Sequence, residues 1–159
     1  MPTFRNLNDY FNYANNKLIK PILSEIADKT LIELKNTVQE KLYDSYTPKL
    51  YERTYELLDS ISKTKVYQED GFYKVKIFYD TDKIFPHIRS AKEGYNAHAL
   101  WDGTDISDSI PFMVEYEYPY GEYKTENGIH AIDDVKDWIN REFNKLFIKK
   151  LKEKGIKCK

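Results

Sequence analysis

Apolar residues return along the first third of the chain at the period of a helix. Phe11, Ala14, Leu18 and Ile19 begin the pattern, with Asn8 placed to cap it and Asp9 in the first turn. Ile22, Ile26, Leu34, Val38 and Leu42 continue it at multiples of four, and Leu23 and Leu31 widen the stripe. Glu25, Asp28, Lys29, Glu33, Lys35, Glu40 and Lys41 fall mostly off it. The spacing predicts a helix from about 9 to about 45, kinked or broken near Pro21, which is either the first residue of a new helix or a kink in a long one. Pro48 should end it, because the residue before a proline avoids helical geometry.

The period then changes. From around Leu57 to Tyr67 the chain reads as extended, and Glu69-Asp70-Gly71 is a tight-turn signal. Beyond it Tyr73, Val75, Ile77 and Tyr79 alternate with Lys74, Lys76 and Phe78, the signature of a half-buried strand. Residues 81–95 read as loop or extension, and Tyr95 to Trp101 as a short helix closed by Asp102-Gly103-Thr104. Val114, Tyr116, Tyr118 and Tyr120 then alternate with Glu115 and Glu117. That predicts an edge strand, since Pro119 is tolerated only at an edge or in a projecting hairpin. Asn127-Gly128 marks another turn. Ile132, Val135, Trp138, Ile139, Phe143, Leu146, Phe147 and Leu151 form the stripe of a last amphipathic helix, with Asp133 and Asp134 at its positive end and Gly155 suited to its C-terminal cap. The expected fold is α+β: a long N-terminal helix, a small antiparallel sheet with a hairpin, and a C-terminal helix. All of residues 1–159 should form one domain, with 81–128 a loop and β-hairpin elaboration within it.

Composition narrows this reading. With 159 residues the chain has room for one modest core. Tyrosine supplies 14 residues, and without them the 41% apolar share falls to about a third. Tyrosine is thus core or contact material, a large ring with a hydroxyl that needs a partner. Eight of the 14 fall in 43–55 and 116–123: Tyr43, Tyr46, Tyr51, Tyr55, Tyr116, Tyr118, Tyr120 and Tyr123. They serve either internal packing or, together with Trp101, a subunit interface.

The net charge of −1 hides a division. Residues 101–142 carry 3 basic and 11 acidic side chains, and residues 143–159 carry 7 lysines and one glutamate. The basic tail is either a solvated helix end that complements the helix dipole or a contact for polyanions or an acidic partner through Lys149, Lys150, Lys152, Lys154 and Lys157. No aromatic residue interleaves with those lysines, which argues against single-strand binding.

Candidate chemistry is sparse. No apolar run reaches transmembrane length, and Met1 to Arg5 lacks the apolar core of a signal peptide, so no membrane role and no classical secretion are expected. The single cysteine, Cys158, allows neither an intrachain disulfide nor a multi-cysteine zinc site. His87, His98 and His130 show no metalloprotease spacing. Asp102, Asp105 and Asp108 lack the glycine and the closing glutamate of a calcium loop. Asp80 and Asp82 could hold a metal near a strand end, but no basic or nucleophilic partner is spaced around them. No glycine pattern cradles phosphate, and Ser60, Ser62 and Ser107 lie outside any nucleophile-elbow context. No cofactor is expected.

The order of elements resembles the small neck or minor tail-component proteins of long-tailed bacteriophages, the lambda-type tail-completion group. Pro48, Arg53-Thr54 and Leu58-Asp59-Ser60-Ile61 match that group's helix-to-strand piece. Phe72 to Tyr79 matches its hairpin, Tyr95 to Thr104 its aromatic-led short helix ending in Gly-Thr, and Ile132 to Lys154 its last helix. Tyr55 stands where the group often has glycine, residues 81–94 look like an insertion, and residues 105–128 are longer and more aromatic than the usual link. The resemblance implies a virion structural protein at the head–tail junction, assembled in the host cytoplasm. It implies a homo-oligomeric ring that meets portal-side, connector and tail-tube proteins, with DNA passing through unrecognised, and neither catalysis nor cofactor. In such a ring the acidic stretch would rim the lumen and the lysines would face other subunits. Two other classes stay open: a small metal-dependent hydrolase or nuclease using His87, His98 or the Asp102/Asp105 pair, and an adaptor that binds an acidic partner through the lysine tail.

Overall fold

Pro21 does not break the N-terminal helix. The computed structural model describes residues 3–45, 55–84, 107–116 and 128–157. In it α1 (Leu7–Tyr13) runs into a π-helical turn over Ala14–Ile19 and then into α2 (Lys20–Val38). The π turn moves the hydrogen bonds one residue back, so that the Lys20 N–H donates to the Asn15 carbonyl. Pro21, which has no N–H, takes the first turn of α2, where none is needed. A second π turn, Gln39–Tyr43, closes the helical run, ahead of Pro48, which lies outside the described residues. The cap is Asn6 and not Asn8. Asn6 has extended backbone, and its side-chain oxygen accepts from the Asp9 N–H at 2.9 Å, while Asn8 is already inside the helix.

α2 buries Ile22, Ile26, Ala27, Thr30, Leu34 and Val38. Thr30 occupies the one polar place on the stripe and donates its hydroxyl to the Ile26 carbonyl at 3.0 Å, so burial leaves it satisfied. α5 (Ala131–Glu153) packs along α2. Ion pairs at opposite ends show the two helices to be antiparallel: Lys150 to Glu25 at 2.8 Å at one end, Lys41 to Asp134 at the other. The predicted α5 stripe is the one that packs, and its end is a Schellman cap. Gly155 has φ +79, the Ile156 N–H reaches the Leu151 carbonyl at 3.0 Å, and the Gly155 N–H reaches Lys152 at 2.9 Å.

Between the helices lies one long, interrupted hairpin. The segment expected to be extended from Leu57 first makes a short helix, α3 (Glu56–Ser60). Leu57 and Ser60 both turn into the core, and the Ser60 hydroxyl donates to the Leu57 carbonyl at 2.7 Å. β1 (Ile61–Lys63) pairs antiparallel with β4 (Ile77–Tyr79), and β2 (Tyr67–Glu69) with β3 (Phe72–Lys74). The register slips by one between the two pairs, since Lys63 faces Ile77 but Tyr67 faces Lys74. Residues 64–66 therefore oppose only 75–76, a bulge. Thr64 bridges it, with its N–H on the Lys76 carbonyl at 2.9 Å and its hydroxyl accepting from the Lys76 N–H at 3.0 Å. The turn is the predicted one, with Asp70 at φ +55 and Gly71 at φ +81. Lys63 fastens the hairpin to α2 through Asp28 at 3.1 Å.

The predicted edge strand from Val114 is instead a helix, α4 (Ile110–Tyr116), entered through a 3-10 turn at Ser107–Ser109. Pro111 sits in its first turn, and Ile110 and Val114, four apart, are both buried. Glu115, expected on the strand face opposite Val114 and Tyr116, is 1% exposed, buried like Val114. Alternating aromatic residues carry a β preference that is mostly a packing preference, and here helical packing overrides it. The rest of that predicted strand, with Pro119, Tyr118 and Tyr120, lies outside the described residues, as do Tyr95 to Thr104. Ile84, Ile110 and Val114 join Leu34, Val38, Leu57, Ile61, Ile129 and Val135 in one core, so the ends of the 81–128 elaboration are built into the body. Among the described residues no helix is long and apolar enough to cross a membrane.

Gly128 and Gly155 share φ +79, yet a Cβ at Gly155 meets nothing, while one at Gly128 would strike the Glu115 carbonyl and the Tyr116 nitrogen. Gly155→Ala should cost about 1 kcal/mol, the price of the left-handed backbone. Gly128→Ala should cost about 3 kcal/mol or more, since backbone must also move. Urea denaturation of the two variants reads the difference directly.

Candidate functional site

The core converges on the Glu115 carboxylate. α4 carries it to the N-terminus of α5, where its Oε2 accepts from the Ile132 N–H at 3.1 Å and the neighbouring Ala131 N–H also favours its charged form. From the other side Tyr79 of β4 donates its hydroxyl to Oε1 at 2.5 Å. The start of α5 has no side-chain cap of its own, because His130 is left-handed at φ +50. Glu115 is thus a cap supplied by another helix, placed where the helix dipole favours negative charge. The backbone completes the joint. The Ile129 and His130 N–H groups donate to the Val114 and Glu115 carbonyls at 2.9 and 3.1 Å, and Lys41 donates to the Ile129 carbonyl at 2.9 Å.

Burial pushes the Glu115 carboxyl above the ordinary carboxylate range, against the lowering effect of the Tyr79 and backbone bonds. Burial and the adjacent Glu115 carboxylate raise Tyr79 well above a free phenol, so it stays the donor. A buried carboxylate whose bonds all go to this chain offers no open side for a substrate. Its role is to hold three segments together.

The tyrosines divide around this joint. Tyr43 is buried and stacks on Tyr55, with centroids 4.7 Å apart, while Tyr55 stays 40% exposed. Tyr116 is 37% exposed and lies edge-on to His130 and beside Phe112. Tyr43 therefore packs within the subunit, and Tyr55 and Tyr116 retain exposed area. Tyr46, Tyr51, Trp101, Tyr118, Tyr120 and Tyr123 lie outside the described residues, as do His87, His98, Asp102, Asp105 and Cys158. His130 is 3.6 Å from Asp133, and Asp80 is paired with Lys83 at 3.3 Å. Among the described residues no group of three His, Cys, Asp or Glu side chains is placed to hold a metal ion.

The lysines also divide. Lys150 meets Glu25 and Glu153 at 2.8 and 2.9 Å, and Lys154 meets Glu25 at 3.4 Å. These bonds hold the Glu25 and Glu153 carboxyls below their ordinary range and raise Lys150. Lys149, Lys152 and Lys157 are exposed.

One surface was missed in the sequence. α1 has no buried residue, and Leu7, Tyr10, Phe11 and Tyr13 are 74%, 48%, 56% and 37% exposed. Phe4 folds back on it, 5.3 Å from Tyr10 and 5.2 Å from Tyr13. The signal was available: Leu7, Tyr10, Phe11 and Ala14 stand at the i, i+3, i+4, i+7 spacing of one apolar stripe, widened by Tyr13, so α1 carries an amphipathic face of its own.

A helix pair braced by a bulged hairpin, with a buried carboxylate joint and an uncovered aromatic arm, defines an α+β protein. The chain belongs to the YomN family, which it matches over residues 5–155. That family is a Bacillus phage-derived one, and the chain is accordingly a phage-related protein. No curated protein and no solved structure matches it.

The joint yields a pH-dependent expectation. Because the folded state raises the Glu115 carboxyl, ionised Glu115 costs stability at neutral pH, and the cost is relieved as pH falls through the raised value towards the ordinary one near 4.5. Glu115→Gln should therefore match or exceed the wild type near neutrality, with the difference shrinking towards pH 4.5. Glu115→Ala should lose about 3 kcal/mol, because the Tyr79 hydroxyl and the α5 N–H groups lose their acceptor. Urea titrations of both variants across that range check the signs.

Proposed function

We propose that this chain is a structural component of a long-tailed phage particle, a neck or tail-completion protein that acts by ring assembly at the head–tail junction. The α1 arm is the observation that carries the reading. A fully buried aromatic side chain covers about 150–250 Å². The uncovered parts of Leu7, Tyr10, Phe11 and Tyr13 thus amount to roughly 400 Å², the size at which an apolar patch marks a contact site. The arm extends from one end of the helix pair, where α2 begins and α5 ends. In this reading the arm meets a different surface on the next copy, a heterologous contact, and such contacts make a ring where the rotation between copies closes. Family membership supports the phage setting, and the element order supports the junction. In this reading the partners are further copies of the chain, then connector, portal-side and tail-tube proteins. It needs no catalysis, cofactor or membrane, and DNA passes without sequence recognition.

Two measurements test it. Gold-labelled antibody on virions should mark the head–tail junction, and absence from purified particles overturns the reading. Light scattering after size exclusion, on the chain alone or with its neighbours, should show a closed oligomer. Leu7→Ser with Phe11→Ser should abolish that oligomer while shifting the melting temperature by no more than about 2 °C, since neither side chain is buried.

A further inference from the structure

The ion pairs at the end of α5 sort its cations by face. Lys150 and Lys154 turn inward to Glu25. Arg141, Lys145, Lys149 and Lys152, at spacings of four, four and three, are all exposed. At 100° per residue they share an arc of roughly 80°, opposite the stripe that packs on α2. Lys145 keeps 73% of its side chain exposed while touching Glu142, and among the described residues Arg141, Lys149 and Lys152 form no ion pair. The stripe runs about 16 Å along the helix.

We propose that this outward face of α5 contacts the phosphate backbone of double-stranded DNA through Arg141, Lys145, Lys149 and Lys152. Three features select the ligand. A duplex carries a phosphate every ~3.4 Å of axis on each strand, and a stripe of cations about 16 Å long is long enough to meet several of them. The aromatic residues of this stretch, Trp138, Phe143 and Phe147, are half-buried, with Phe143 stacked on Phe147, so none stands exposed among these cations for an unpaired base, and Ile148 alone is too little apolar surface to enter a lipid layer. A second copy of the chain is a poor match, because the described acidic residues are mostly engaged: Glu115 is buried, Asp134 is on Lys41, and Glu142 is on Lys145. The contact carries no base readout and so no sequence preference. It replaces the arrangement in which all the lysines face neighbouring subunits, and it stands whether or not the chain forms a ring.

The test is anisotropy of a labelled duplex titrated with the full chain between 50 and 200 mM salt. Four phosphate contacts give a log–log slope of about −3 to −4, a loss of about a hundredfold over that range. Lys149→Gln with Lys152→Gln should cut the slope to about −2, and Lys150→Gln should leave it unchanged. All these side chains but Lys150 are exposed, so circular dichroism should report an intact fold for the double variant. Lack of binding at 50 mM salt overturns the proposal, as does a slope indifferent to the double variant. Displacement by polyglutamate as effective, charge for charge, as by unlabelled duplex also overturns it and assigns the face to an acidic protein.

Discussion

A carboxylate removed from water and placed at a helix N-terminus is the constraint on which this fold turns. Glu115 stands at the meeting of α4, β4 and α5, and none of the three is held there by apolar packing alone. Apolar contacts are non-directional. They would let α4 slide against α5, whereas the Tyr79 hydroxyl and the α5 N–H groups fix one position. The cost of burying the charge is offset by these bonds and by the dipole of α5, and the net effect still disfavours ionisation. Specific geometry is what the chain gains. The close approach at Gly128 follows from it, because the 128–130 segment must run against the α4 carbonyls for α5 to begin where the carboxylate waits.

That joint explains which parts of the fold were legible in the sequence. The α2 and α5 stripes and the Asp70-Gly71 turn depend on local periodicity and local backbone chemistry, and all three are present as read. α4 was misread as a strand because its decisive contacts are remote. Glu115 finds its partners 36 residues back at Tyr79 and 17 forward at Ile132, and no local pattern encodes those distances. The bulge was hidden for a related reason. Alternation from Tyr73 to Tyr79 is continuous in sequence, and only the partner strand shows that the register slips at Thr64.

The candidate surfaces show the same split between local and remote information. Tyrosine abundance pointed to contacts, but abundance does not separate Tyr43, packed against Tyr55 in the core, from Tyr116 at the edge. The lysine tail likewise looked uniform. Glu25, more than a hundred residues away, divides it by drawing in Lys150 and Lys154. The aromatic arm, by contrast, was local and readable: Leu7, Tyr10, Phe11 and Ala14 keep the spacing of an apolar stripe, and such a face needs cover.

These surfaces lie on a frame that leaves them free to work. The α2–α5 pair is closed by ion pairs at both ends and braced by the hairpin through Lys63, so neither the arm nor the outer α5 face is needed to hold the core. Under the proposed function, a subunit that assembles around passing DNA needs that separation. Its contact residues must be free to change partners, while the distance between them stays fixed by something rigid. The arm at the start of the α1–α2 run and the basic stripe at the end of α5 lie towards the same end of the antiparallel pair, because Glu25 and Lys150 bring those ends together. Neighbour contact and backbone contact would then share one end of the subunit, and the Glu115 joint would hold the other end out of both.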